Sequence, residues 1–427
     1  MASDALQPIQ GMSDIASPEI HLWQHIERIS REVLETYAFH EVRTPILERT
    51  AIFERSLGST TDVVQKEMYT FQDRGGRSLT LRPEGTAGMI RHIAAQAQEM
   101  QDARVFYIGP MFRSERPQAG RRRQFHQLGV EVVGPPSPAA DAEIIALQSH
   151  LLHAWGLRNF TIEVNTRGFP EDRARVTDGL RTALKSRKNE LCEDCQRRYR
   201  ENPLRLLDCK NESCREIVAD VPALTQFMGE EARQYLADVL TALRRLEIPA
   251  TENPRLVRGL DYYRHTVWEV THTGLGAQDA LSGGGRYALT LDKQTVEGVG
   301  FAMGLERVIS ALTREGLDAA TLARPPCVWL VAQGAPAFEE NLLLMQSLRM
   351  RGVSCAMDLR GRSLKAQMRA ANRSASRYVI IRGEAEMDQG TFQLKNMADG
   401  SQEEVDLPDL ITRLLIASGL PVPTDET

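Results

Sequence analysis

Apolar positions spaced three and four apart, Leu22, Ile26, Ile29, Val33 and Tyr37, predict an amphipathic helix within HLWQHIERISREVLETYAF. EVRTPILERT then reads as a short strand interrupted by Pro45, suited to an edge or interface. YTFQDRGGRSLTLRPEGT reads as a hairpin turning at Gly75 and Gly76, with a helix beginning near Thr86. RVFYIGPMF and QFHQLGVEVVG are β-rich runs that predict a long antiparallel hairpin, and GPPSPAADAE reads as a loop leading into the helix of IIALQSHLLHAWG. From Glu171 to Ala250 the pattern turns helical, more basic and cysteine-bearing, as expected of an insertion. Strand character returns at LVRGLDYYRHTVWEVTH and at GVGFAMG, which opens the helix LERVISALTREG. RPP at Arg324 to Pro326 marks a linker; beyond it CVWLVAQG, VSCAMDL and RYVIIRG alternate with helical segments, predicting a small parallel-sheet domain. The expected organisation is a first domain in two parts, 1–170 and 251–324, a helical insertion at 171–250 and an α/β domain at 325–427.

A chain of 427 residues is too long for one core, and 42% hydrophobic with 26% charged residues is ordinary for a soluble globular protein. The start, MASDALQPIQGMSD, has no basic n-region or apolar h-region, and no apolar run approaches a membrane span. Six cysteines in this length make no disulfide framework, so a reducing cytosol is the expected compartment. A formal charge of -5 argues against indiscriminate nucleic-acid binding and leaves room for a local basic surface.

Several nucleotide and hydrolase signatures are missing. There is no G-x-x-x-x-G-K-[ST] loop, no H-E-x-x-H and no G-x-S-x-G, and GVGFAMG is one residue off the dinucleotide fingerprint and lacks its βαβ setting. What remains is a set of arginines and carboxylates at strand ends. FRSERPQAGRRRQFHQLGVE packs Arg113, Arg116, Arg121, Arg122 and Arg123 into one hairpin, where they repel unless something anionic or aqueous lies between them. Gln127, Gly129 and Glu131 alternate onto one face of its second strand. LRPEGT contributes Arg82 and Glu84, LVRGLDYY contributes Arg258, Tyr262 and Tyr263, and GLERV contributes Arg307. Each alone is an ordinary surface ion-pair former.

Together these segments resemble the class II aminoacyl-tRNA synthetases, and most closely the histidyl-tRNA synthetase family. TPILE is similar to the first class II motif, FRSERPQAGRRRQFHQLGVE to the second and GVGFAMGLERV to the third. LVRGLDYY is similar to the signature that sets the histidyl enzymes apart. The chain departs from the family after GGRY, with Ala288 and Leu289 in place of the usual Asp and Gly.

The resemblance implies an α+β catalytic domain built on an antiparallel sheet, a helical insertion and a C-terminal α/β anticodon-binding domain. It implies a histidine–tRNA ligase that uses ATP with Mg²⁺, acts on tRNA(His) and works as a homodimer, in the cytoplasm and with no membrane role. On this likeness Arg113 and Arg258 flank the α-phosphate, Arg307 holds the γ-phosphate or stacks on adenine, and Arg121, Arg123 and Phe125 close over the nucleotide. Glu131 and Tyr263 read the imidazole, Glu84, Thr86 and Gln127 take the α-amino group, and Tyr262 and Tyr287 line the pocket. Arg116 and Gln118 at the hairpin tip meet the acceptor end of the tRNA. The competing reading, a regulatory paralogue that reuses the catalytic fold, predicts loss of part of this arginine set and of the C-terminal domain; both are retained.

Two patterns stand apart. Cys192, Cys195, Cys209 and Cys214 form C-x2-C followed by C-x4-C, which either closes a tetrahedral structural zinc site or is four small half-buried thiols. In RGRSLKAQMRAANRSASR, Arg362, Lys365, Arg369 and Arg373 share one predicted helix face, with Leu364, Met368, Ala371 and Ala375 opposite. No acidic residue occurs from Arg360 to Arg382, which favours phosphate contact, with the anticodon stem as the expected partner.

Overall fold

In the computed structural model, residues 6–58, 61–96, 102–117, 120–209, 211–259, 262–291 and 293–422 are described. The chain divides into two compact units, one ending at Leu322 and the other beginning at Ala323. Strands of the first unit are β1 (His40–Glu41), β2 (Leu47–Arg49), β3 (Tyr69–Gln72), β4 (Ser78–Leu81), β5 (Arg104–Phe112), β6 (Gln124–Val133), β7 (Thr161–Thr166), β8 (Ala250–Glu252), β9 (Tyr263–Thr271), β10 (Ala280–Leu291) and β11 (Gln294–Gly304). Its helices are α1 (Ile20–Thr36), α2 (Thr50–Leu57), α3 (Thr86–Ala95), α4 (Pro138–Ala154), α5 (Asp172–Leu184), α6 (Glu193–Glu201), α7 (Glu212–Ala219), α8 (Glu230–Arg245) and α9 (Leu305–Arg314).

The main sheet has the order β1-β5-β6-β11-β10-β9-β7-β8. Its six middle strands pair antiparallel throughout, and only the edge pairs β1–β5 and β7–β8 are parallel. The segment around Pro45 is divided: β1 joins the main sheet, while β2 joins β4 and β3 in a small second sheet. Proline cannot donate to a ladder, so the break falls beside it.

Period-two alternation gives the main sheet two unlike faces. Phe106, Leu128, Val130, Val299, Phe301 and Trp268 are buried in one core with residues of α1, α4 and α9. On the other face, Val105, Tyr107, Tyr263 and Tyr287 are buried with Phe53 and Leu57 of α2 and with Met89, Ile90 and Ile93 of α3. Helix α4 starts at Pro138, earlier than the expected loop allows, because Ser137 caps it: its hydroxyl accepts from the Ala140 amide at 3.3 Å, with Pro138 in the first turn. The insertion is divided energetically. Helices α5 to α7 enclose a core of their own around Val176, Leu180, Leu206 and Ile217, whereas Leu236, Val239 and Leu243 of α8 join the main core.

One buried ion pair ties these layers together. Arg286 on β10 meets Asp141 on α4 at 2.6 Å, with side chains 3% and 0% exposed. Asp141 also accepts from the Tyr235 hydroxyl of α8 at 3.0 Å, and Arg286 donates to the Gly134 and Pro135 carbonyls at 3.1 Å each.

The second unit contains β12 (Val328–Ala332), β13 (Cys355–Met357), β14 (Tyr378–Arg382), β15 (Thr391–Asn396) and β16 (Gln402–Asp406), with α10 (Ala335–Met350), α11 (Leu364–Arg373), α12 (Glu384–Gln389) and α13 (Leu407–Ala417). Its sheet is mixed, in place of the expected parallel sheet: β13, β12 and β14 are parallel, and β15 and β16 complete it antiparallel. The added hairpin turns where Asn396 donates to Ser401 O at 2.8 Å and Gly400 adopts φ 76°. The basic helix is also corrected. Arg362 precedes α11 and pairs with Asp358, leaving Lys365, Arg369 and Arg373 exposed on the helix itself. Its buried side is Gln367, Ala370 and Ala371, while Leu364 is 40% exposed and Ala375 lies past the helix end. Gln367 explains the difference, because its amide bonds both the amide and the carbonyl of Ala332, at 3.0 and 2.9 Å.

Asp141→Ala should destabilise the first unit by about 3–5 kcal/mol, since it strands a buried guanidinium. Urea unfolding followed by tryptophan fluorescence measures this, and Glu143→Ala, which loses the more exposed pair with Arg104, should cost about 1 kcal/mol or less.

Candidate active site

The second sheet face carries a cleft of about 90 Å³. Neighbouring strands present Gln127, Gly129 and Glu131 from β6, Gly300 and Ala302 from β11, Gly283, Gly285 and Tyr287 from β10, and Tyr263 from β9. Glycines here make room for large polar side chains to lie on the sheet. A Cβ on Gly283 would collide with the Arg258 guanidinium, and one on Gly300 with the Glu131 carboxylate. Gly129 and Gly85 make the same room for the Tyr107 ring. Of the expected residues, Arg113, Arg258, Glu84, Thr86, Gln127, Glu131, Tyr262, Tyr263 and Tyr287 all line this one cleft. The departure at Ala288 and Leu289 leaves Tyr287 in the strand: these residues extend the β10–β11 ladder opposite Glu297 and Val296.

The inner part of the cleft is polar and under-satisfied. Gln127 Oε1, Glu131 Oε2, Tyr287 Oη and Tyr107 Oη are buried and without hydrogen-bond partners. Burial pushes the Glu131 carboxyl up to about 8, with contacts to Thr86 and Tyr287 opposing. Glu84 is also raised by burial, against hydrogen bonds donated to it by the Ala87 and Thr86 amides at 2.7 and 2.8 Å. Those two bonds make Glu84 the cap of α3, so its placement serves the helix as well as the cleft. Arg82, next to it, points elsewhere: it donates to Pro110 O at 2.8 Å and Thr44 O at 3.0 Å and pins β4 to its surroundings.

Toward the arginine hairpin the cleft turns cationic. Arg113 donates to Pro83 O at 2.9 Å and lies 5.1 Å from the centre of the Phe125 ring. Glu115 sits between Arg113 and Arg121, at 3.7 and 3.2 Å. Arg123 donates to Glu115 O at 3.2 Å. Arg307 donates to Gly120 O and Ala280 O, at 3.0 and 2.7 Å, and burial together with the nearby Arg121 and Arg113 lowers its pKa. It belongs to this cationic group and is not among the residues lining the inner cleft. Arg258, on the far side, pairs with Glu269. Arg116 is exposed, and Gln118 lies outside the described residues. A larger hollow of about 380 Å³, on the second unit, gathers no comparable set: its Arg413 is already paired with Glu403 and Asp409.

Arg113 and Arg258 both line this polar pocket on the antiparallel sheet. The family model for Histidyl-tRNA synthetase matches residues 11–308. The chain belongs to the histidyl-tRNA synthetase family. A second family model, Anticodon binding domain, matches residues 328–415. A histidine–tRNA ligase of Halothermothrix orenii is 45% identical over 410 residues, spanning 95% of this chain and 98% of its own. That of Geobacter metallireducens is 44% identical over 402 residues, spanning 93% and 96%. The crystal structure of apo S. aureus histidyl-tRNA synthetase matches with a TM-score of 0.81 at 32% identity, over 96% of this chain and 99% of that one.

Within this histidyl-tRNA synthetase fold, sequence reasoning missed three residues that shape the site. Glu269 pairs with Arg258, Glu115 bridges the hairpin arginines, and the Tyr107 ring packs against Gly85 and Gly129. Alternation carried a signal for two of them: Tyr107 stands opposite Gly129, and Glu269 opposite Gly283, on the cleft face. The four cysteines of the insertion also come together, as described below. No described helix is long and apolar enough to cross a membrane.

The raised Glu131 pKa has a testable sign. Between pH 4.5 and about 8 the folded protein holds a proton that the unfolded chain has released, so this group's contribution to stability falls as pH rises. Glu131→Gln should therefore gain stability relative to wild type across that window, at up to about 1.4 kcal/mol per pH unit. Paired urea titrations at pH 5 and pH 8 measure the difference.

Proposed function

We propose that this cleft joins histidine to tRNA(His) in two steps, with ATP as the activating substrate. Histidine enters with its side chain toward Glu131, Tyr263 and Tyr287 and its ammonium toward Glu84, Thr86 and Gln127. The observation that carries this reading is the set of buried, unpartnered acceptors and hydroxyls, Gln127 Oε1, Glu131 Oε2 and Tyr287 Oη, immediately beside Arg113 and Arg258. Such groups match a ligand with donors at both ends, and they reject analogues lacking those donors because the site is then left unpaired.

The histidine carboxylate oxygen forms a bond to the α-phosphorus of ATP, and the bond to the pyrophosphate oxygen breaks. Arg113 and Arg258 meet the charge that builds on the non-bridging oxygens of that phosphorus. Guanidinium suits the task, since its planar fork binds two oxygens and never deprotonates. Arg121, Arg123 and Arg307 are placed for the outer phosphates, and the Phe125 ring for the adenine. Mg²⁺, entering with ATP as part of that substrate, would supply charge neutralisation for the departing pyrophosphate. In the second step the terminal ribose hydroxyl of the tRNA, by class analogy the 3′-OH, attacks the acyl carbon and adenylate leaves. Arg116 and Gln118 are assigned to that acceptor end, and Lys365, Arg369, Arg373 and Arg362 to the anticodon stem. The exposed Leu47 and Phe71 of the small sheet, with Ile46 just before it, support a homodimer, and the free cysteines support a cytoplasmic setting.

Histidine-dependent exchange of labelled pyrophosphate into ATP tests the reading, and absence of exchange would refute it. Arg258→Ala should slow exchange by about 10²–10³-fold, the size of loss seen when one fixed charge stabiliser is removed, while histidine binding by calorimetry changes only a few-fold. Replacing Arg369 and Arg373 by Ala should raise the KM for tRNA about tenfold, corresponding to lost phosphate contacts that salt also weakens, with the exchange rate unchanged.

A further inference from the structure

The insertion's cysteines take no part in this chemistry, yet the fold gathers all four. Cys192 precedes α6 as its cap, Cys195 lies in the first turn, Cys209 follows a single 3₁₀ turn at Pro203–Leu206, and Cys214 lies in the first turn of α7. Their sulfurs all fall within 4.8 Å of one another, and among the described residues no other group of three or more such ligands does so. All four are free thiols. The Cys192 and Cys209 sulfurs are 4.0 Å apart. A zinc ion bound tetrahedrally by thiolates at about 2.3 Å sets each sulfur–sulfur edge near 3.8 Å. The cluster therefore needs shifts of only about 1 Å per edge to close around the ion.

A backbone donor is already aimed at one of the sulfurs. The Cys192 amide donates to Cys214 Sγ at 3.2 Å. Such N–H groups stabilise thiolates and orient them as ligands. Cys195 and Cys214 are fully buried in the apolar core of α5 to α7, and packing alone gives no reason for all four sulfurs to converge on one point of it. The core that α5 to α7 enclose is also small, the situation in which a metal commonly supplies the missing stability.

We propose that Cys192, Cys195, Cys209 and Cys214 bind one Zn²⁺ as a structural tetrathiolate, releasing their four protons to solvent. The ion fastens α6, the 3₁₀ turn and α7 into one piece. That piece reaches the catalytic body: Arg205, between the two cysteine pairs, bonds Asp62 at 3.3 Å, and Asp208, next to Cys209, acts electrostatically on Arg258 and Glu269. The inference stands on the cluster itself and holds whatever reaction the cleft performs.

Atomic emission on the full chain, purified without chelators, should find one zinc per chain. Cys195→Ser and Cys214→Ser should each lower this at least tenfold, while Cys327→Ser in the second unit leaves it at one. Since a Ser variant can fail by unfolding, the wild-type chain stripped of metal and titrated with Co²⁺ gives an independent reading. Thiolate-to-cobalt charge-transfer absorption with tetrahedral ligand-field bands, displaced by Zn²⁺ at one equivalent, supports the site. Four titratable thiols that bind neither ion, a mass lower by two hydrogens per disulfide, or iron in place of zinc would each overturn it.

Discussion

A guanidinium can lie flat on a β-sheet only where the sheet has no side chain beneath it, and the active site depends on that constraint. Gly283 leaves the space in which Arg258 rests against Glu269, and Gly300 leaves the space for Glu131. Charge stabilisation in a transition state is effective when the stabilising groups are fixed beforehand in a site that excludes water. The bare stretch of sheet provides the fixing surface. Glycine within strands weakens them, through lost packing and greater chain entropy, so the stabilising interactions must come from elsewhere.

They come from the opposite face of the same strands. Along β10, Gly283, Gly285 and Tyr287 face the cleft, while Arg286 turns to the other side and closes its buried pair with Asp141 of α4. Trp268 on β9 is fully buried and donates to Gln148 of α4 at 2.6 Å. Adjacent residues on one strand thus serve different ends. Chemistry occupies one side of the sheet and cohesion the other, and α4, enclosed between sheet and outer helices, links the two through hydrogen bonds as well as apolar contact.

The legible parts of the sequence were those in which local pattern and tertiary role coincide. The helix at Leu22 to Val33, the hairpin of Arg104 to Val133 and the start of α3 at Thr86 follow from periodicity and turn chemistry. The cleft residues were legible through resemblance, because nothing local distinguishes Arg113 or Arg258 from a surface arginine. What escaped depends on partners distant in sequence. Glu269 looks like an ordinary strand charge until Arg258 is placed beside it, and Asp141 like a loop residue until Ser137 starts the helix early. Gln367 looked like part of a solvated basic helix. It is buried because its amide completes the backbone bonding of Ala332 at the end of a central strand, and this rotates the helix away from the arrangement that hydrophobicity alone suggests.

The crowding of five arginines in an acidic chain now has a physical resolution. Mutual repulsion among Arg113, Arg121 and Arg307 is relieved by Glu115, which stands between the first two and acts electrostatically on the third. Backbone carbonyls accept from several of these guanidiniums: Pro83 O from Arg113, Glu115 O from Arg123, Gly120 O and Ala280 O from Arg307. Glu269 pairs with Arg258. A carboxylate neutralises only one unit of charge, so more cationic charge than anionic faces the space between the hairpin and β10. The excess suits a polyphosphate. The carbonyls also hold the guanidinium planes in place whether or not that anion is present, so an incoming phosphate meets donors already oriented and requires little reorganisation of the protein.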